Sequence, residues 1–70
     1  MPKKLSQQVI KHCAKVRKAA GYTQREAAEE MGVAHGTVEQ WELGARIPTK
    51  ENQKLWLAWT KKQAKRLGWQ

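Results

Sequence analysis

The sequence has one cysteine, Cys13, among 70 residues. No intrachain disulfide can form, and no Cys-rich metal site can be assembled. This usage fits a reducing cytosol, where disulfides are rare. No apolar run approaches the roughly 20 residues of a bilayer span. The opening Met1-Pro2-Lys3-Lys4 lacks the apolar stretch of a secretory signal, so a soluble, cytoplasmic protein is expected. Catalytic patterns are also missing: there is no Ser/His/Asp set, no carboxylate pair in an apolar setting and no Gly-rich phosphate loop. His12 and His35 are far apart, with no cysteine or second carboxylate at ligand spacing, so neither a metal nor a cofactor is expected. Alternating strand patterns, internal repeats and interdomain linkers are absent too.

Basic charge is plentiful, with a net +8 and a pI near 10.1. Such a balance favours a polyanionic partner, although it does not separate DNA from RNA, anionic lipid or a merely solubilising surface. The charge is unevenly placed. Residues 1–22 carry six basic and no acidic side chains, residues 23–47 two basic and five acidic, and residues 48–70 six basic and one acidic.

Large apolar side chains are few, and four tryptophans with Leu and Val must supply the core of a single domain spanning 1–70. Leu5, Val9, Cys13, Val16 and Ala20 recur at spacings of four, four, three and four, one face of a helix. Ser6 can cap it, with Leu5 and Ile10 placed as a hydrophobic staple, and Gly21 ends it. Thr23-Gln24-Arg25-Glu26 is a capping box opening a short Ala-rich helix that closes at Gly32. A third helix is expected from about residue 34 or 35 to 43, poorly capped because Ala34 stands where Ser or Thr belongs. Gly44 stops it. Pro48-Thr49 can open a further helical segment over 49–67, in which residues 55–59 are too continuously apolar for a one-sided surface helix. The expected fold class is all-α, a bundle of four to five short helices.

Residues 24–43 carry the functional signal. Two short helices joined by a Gly-containing turn of three to four residues form a helix-turn-helix. Ala28 is small where the helices cross closely, and Val33, Val38 and Trp41 turn inward. The outward N-terminal face of the third helix is then free to enter a major groove about 12 Å wide.

On Thr23-Gln24, Ala28, Gly32-Val33, Thr37-Val38, Trp41-Glu42, Gly44 and Pro48, the sequence resembles the Cro/CI-type (lambda-repressor-like, XRE-type) helix-turn-helix family over about residues 9–60. The resemblance implies double-stranded DNA as partner. It implies that Gln24 touches the DNA backbone and sometimes a base, and that His35, Gly36 and Gln40 face base edges. The Glu39-Gln40 pair, followed by an aromatic residue and Glu42, is similar to that of phage repressors. Chemically, Gln40 can bond adenine N6 and N7, and His35 can donate to guanine N7 or O6. Thr37 suits a phosphate, and Arg25, Arg46 and Lys50 can reach the backbone. Thr23 and Glu39 complete the candidate DNA-binding set. Gly36 departs from the family pattern, since a side chain usually stands there. The resemblance also implies an ion pair between Arg17 and Glu42.

Other residues read more plainly. Cys13 lies on the buried stripe and is a small core residue. Trp41 and Trp56 are core, and of Trp59 and Trp69 one is left for an interface; the 55–59 segment with Trp69 is the expected homodimer contact. The run 61–66 is either a solvated helix end or a DNA-backbone contact. The expected function is a Cro-like repressor or autoregulator of a phage or mobile-element operon, acting on a palindromic operator. The competing readings are an antitoxin that binds DNA and a toxin, and a protein- or RNA-binding adaptor that reuses the fold.

Overall fold

Residues 5–69 are described in the computed structural model; Lys3 and Lys4, counted above in the amino-terminal charge, lie outside the described residues. Ser6 is in extended conformation, and its hydroxyl accepts the Val9 N–H at 3.2 Å, which starts α1 (Gln7–Ala19). The buried face of α1 is Ile10, Cys13, Val16 and Arg17. It is thus rotated slightly from the expected stripe, with Leu5, Val9 and Ala20 only partly covered. The staple explains the rotation: Ile10 turns into the core beside Leu5, which packs against the same cluster.

Both halves of the capping box form before α2 (Gln24–Met31), with Glu26 N–H donating to Thr23 Oγ1 at 3.0 Å and Thr23 N–H to Glu26 Oε1 at 2.9 Å. Ala27 and Ala28 are wholly buried. Gly32 closes the helix at φ +76°, a left-handed conformation that a Cβ would strain. The chain turns there so that Val33 N–H meets the Ala28 carbonyl at 2.9 Å.

The third helix starts later than expected. It is α3 (Thr37–Leu43), and residues 35 and 36 belong to the turn before it. Thr37 N–H donates to the Ala34 carbonyl at 3.0 Å, a tight three-residue turn, and the bond from Gln40 N–H to the Gly36 carbonyl follows at 3.1 Å. Neither Ala34 nor Gly36 has a side-chain oxygen with which to cap an earlier start.

Thr49 caps α4 (Lys50–Arg66) by accepting the Asn52 N–H at 3.2 Å. Pro48 therefore precedes the cap rather than opening the helix, and its carbonyl accepts from Gln53 Nε2 at 3.2 Å. Four helices are present among the described residues, and no strand. Trp41 and Trp56 tilt together at the centre with ring centroids 5.2 Å apart. Trp59 is also core, so of the pair Trp59 and Trp69 it is Trp69 that stays outside it. Trp59 meets Tyr22 edge-on at 5.2 Å, and its indole N–H donates to Glu30 Oε1 at 3.1 Å. A buried indole needs such an acceptor, and Glu30 supplies it at the rim. Leu55 and Leu57 remain exposed and Trp69 half-buried.

Candidate nucleic-acid interface

The position of α3 is set from behind. Val38 and Trp41, three residues apart, bury one side of the helix against α1 and α4. Beside them Glu42 is held by Arg17 of α1 in a two-pronged pair, Nε to Oε2 at 2.7 Å and Nη2 to Oε1 at 3.1 Å, with both side chains only 8% exposed. The remaining Arg17 nitrogen Nη1 donates to the Tyr22 carbonyl at 2.7 Å. The pair thus fastens α1 to α3 and to the residues that lead into α2. Its planar fork is well satisfied, which a buried charge requires. Gln24 joins it, donating Nε2 to Glu42 Oε1 at 2.9 Å. Pattern reading assigned Gln24 to DNA alone; the structure gives it a bracing bond as well, visible only once α2 and α3 are packed.

With that side locked, Thr37 and Gln40 are left along the outer stripe of α3, with Gly36 in the turn just before them. They line one open depression together with Ala34, Ala45 and Arg46. Thr37 and Gln40 are one turn apart, so both side chains rise from the same side. After Gly44, the N–H groups of Ala45 and Arg46 return to the Gln40 carbonyl at 3.0 and 3.3 Å, which brings Arg46 back to the depression that Gln40 lines. On its other side Arg46 borders a second groove with Thr37, Thr49 and Asn52. Lys50 is exposed at the first position of α4. Asn52 was not among the sequence candidates; its neutral side chain gave no charge signal.

His35 stands apart from this stripe. Being in the turn, it does not share the helical face of Gln40, and its Nε2 lies 3.4 Å from Glu29 Oε1. Arg25 Nε approaches the same oxygen at 3.6 Å. Glu29 thus faces two of the candidate DNA-contacting groups, a feature sequence reading missed. The i,i+4 spacing of Arg25 and Glu29 was a usable signal. Thr23 and Glu39 are exposed, Thr23 with its hydroxyl engaged in the capping box.

Protonation states are shifted at the capping box and at the Trp59 rim. The Thr23 backbone N–H, and then its hydroxyl, holds Glu26 below the ordinary carboxylate value. Hydrogen bonds from Tyr22 and Trp59 do the same for Glu30 and raise the Tyr22 phenol in return. Burial pushes the Cys13 thiol up, which leaves it an inert core group. Among the described residues no group of three or more His, Cys, Asp or Glu side chains is placed to hold a metal. No helix among them is long and apolar enough to cross a membrane.

Two short helices at a glycine turn, with the second presenting a polar outer stripe flanked by cations, define a helix-turn-helix DNA-binding module. A helix-turn-helix family model matches residues 14–55, so the chain belongs to this family of Cro/CI (XRE) type DNA-binding transcription regulators. No curated protein matches the chain, and no solved structure does.

Proposed function

We propose that the chain binds a specific palindromic operator in double-stranded DNA and acts as a Cro-like repressor of a phage or mobile-element operon, its own gene included. The observation that carries this reading is the open stripe of Thr37 and Gln40, with Gly36 just before it, presented outward while the Arg17–Glu42 pair locks the helix behind it. In this reading Gln40 reads a base, with adenine N6 and N7 as its best partners. The bare Gly36 lets the backbone approach the groove closely. Thr37 and Arg46 contact phosphates on one side, Lys50 extends that contact, and Arg25, with Thr23 and the free end of Gln24, meets the other strand. His35 reaches the DNA once it leaves Glu29. Such a reader works in the cytosol, where its operator lies. Two protomers share one palindrome, their reading helices about one DNA turn, ~34 Å, apart.

Footprinting on the DNA upstream of the chain's own gene tests this. A protected palindrome is expected, bound by two protomers and at least ~10³-fold more tightly than a scrambled duplex at equal salt. Equal affinity for the operator and the scrambled duplex overturns sequence-specific binding, and tighter binding to single-stranded RNA than to either duplex favours an RNA adaptor.

A further inference from the structure

A groove of about 340 Å³ between α1 and α4 shares no residue with the nucleic-acid interface. Leu57, Thr60 and Ala64 follow one another at three- and four-residue spacings and form its α4 side. Lys61 and Lys65, the next positions round that face, edge it. The far wall is Trp69. Gly68, at φ +78°, reverses the chain so that Trp69 N–H donates back to the Ala64 carbonyl at 2.8 Å. The reversal lays the indole against α1, where Lys15 Nζ sits 5.8 Å from the ring centroid. Leu57 keeps 39% of its surface exposed.

One further observation says what the groove fits. Its charges have one sign. Residues 1–22 contain no acid, and the single acid of α4, Glu51, lies in its first turn, six residues before Leu57. Glu30 of α2 bonds Trp59 and Gln63, which at ~100° per residue project from the side of α4 opposite Leu57.

We propose that this groove docks an acidic amphipathic helix of a partner protein. The partner's apolar side covers Leu57, Ala64 and Trp69, and its carboxylates meet Lys15, Lys61 and Lys65. A helix laid into a groove between two helices is a recurring mode of recognition. The apolar floor favours it over a nucleic-acid strand, whose backbone has no group to cover Leu57 and Ala64.

The test titrates the full ¹⁵N-labelled chain with a synthetic 16-residue peptide that carries Leu on one helical face and Glu on the other. A scrambled peptide of the same composition is the control. The ordered peptide should shift the Trp69 indole and Leu57 resonances saturably, and the scrambled one should bind about tenfold more weakly, a difference of ~1.4 kcal/mol. Leu57→Ser and, independently, Lys65→Glu should each weaken the peptide by a similar factor. Equal binding of both peptides shows attraction by charge alone and overturns the proposal. So does a peptide that shifts Gln40 and Arg46 instead. Shifts of Leu57 and Trp69 on self-association without peptide would assign the groove to a second copy, and shifts on duplex DNA to nucleic acid. Absence of any shift at about 1 mM peptide, a level that would reveal even ~4 kcal/mol of binding, also overturns it.

Discussion

Gln40 and Arg46 are neighbours in space but offer different chemistry, an amide with paired donor and acceptor against a diffuse cation. Gln40→Ala should weaken operator binding by about 1–3 kcal/mol and relax preference at one base pair. Arg46→Ala or Lys50→Ala should weaken all duplexes alike and lower the salt slope by about one. Titrating the variants against operator and scrambled duplex at several salt concentrations separates the roles. Equal losses for Gln40→Ala on both duplexes would make it a backbone contact. Glu29 is expected to act in the opposite sense. Its carboxylate faces Arg25 and His35 at 3.6 and 3.4 Å, the groups that the proposed function turns toward DNA phosphates. Such exposed pairs contribute little to stability, so the effect belongs to binding. Glu29→Gln should tighten binding to every duplex, scrambled DNA included, without moving the denaturant midpoint appreciably. No gain on either duplex would show that Glu29 lies outside the field of the bound DNA.

At the scale of the element, α2 depends on its first turn. Its eight residues are too few to hold a helix without packing and caps. Thr23→Ala should cost about 1 kcal/mol in denaturant unfolding. Glu26 makes the box sensitive to acid. Its folded carboxyl lies below its ordinary value because Thr23 favours the charged form. The stabilisation is therefore complete above the ordinary glutamate value, about 4.3. It is lost as pH falls through the lowered folded value. Wild type should consequently lose more stability than Glu26→Gln between about pH 6 and pH 3, with Glu30 adding a slope of the same sign to both proteins. Parallel pH profiles would mean the box carries no acid sensitivity. The recognition helix has no comparable device: Gly36 offers no side-chain acceptor at its start. Its order comes from Val38, Trp41 and Glu42 instead.

Across the whole molecule, those three residues tie the reading surface to the core. Glu42→Ala leaves the Arg17 guanidinium buried without its acid, an expected loss of about 3 kcal/mol. Gln24→Ala removes one neutral donor from the same carboxylate and should cost about 1 kcal/mol. An unchanged denaturant midpoint in Glu42→Ala would show that the pair contributes nothing. The charge pattern has a consequence at this scale too. The excess of acid over residues 23–47 lies in the module itself, while most cations sit on α1 and α4. Long-range attraction to a polyanion therefore comes from the flanks, and it should fade as salt shortens the screening length below ~10 Å.

The sequence by itself determined the elements whose signals are local. A Ser6 cap, a Thr23–Glu26 box and a Gly32 turn each act through bonds of a few residues' span, and each forms where its pattern stands. The family pattern over residues 24–43 was legible for the same reason, because small, turning and inward residues recur at fixed offsets. Local signals failed at the start of α3, where an absent cap gave no mark of the boundary and the tight turn at Ala34 set it instead. Placement of side chains between elements was decided only by the tertiary structure. Trp59 looked like a candidate for an interface until Tyr22 and Glu30, 37 and 29 residues away in sequence, enclosed it. Arg17 and Glu42 stood together as an implied pair, but the attachment of Gln24 to them and the facing of Glu29 toward Arg25 and His35 followed from packing. Spacing along a chain fixes which face of its own helix a residue occupies. Which neighbour fills the space before that face depends on how the helices close around Trp41 and Trp56.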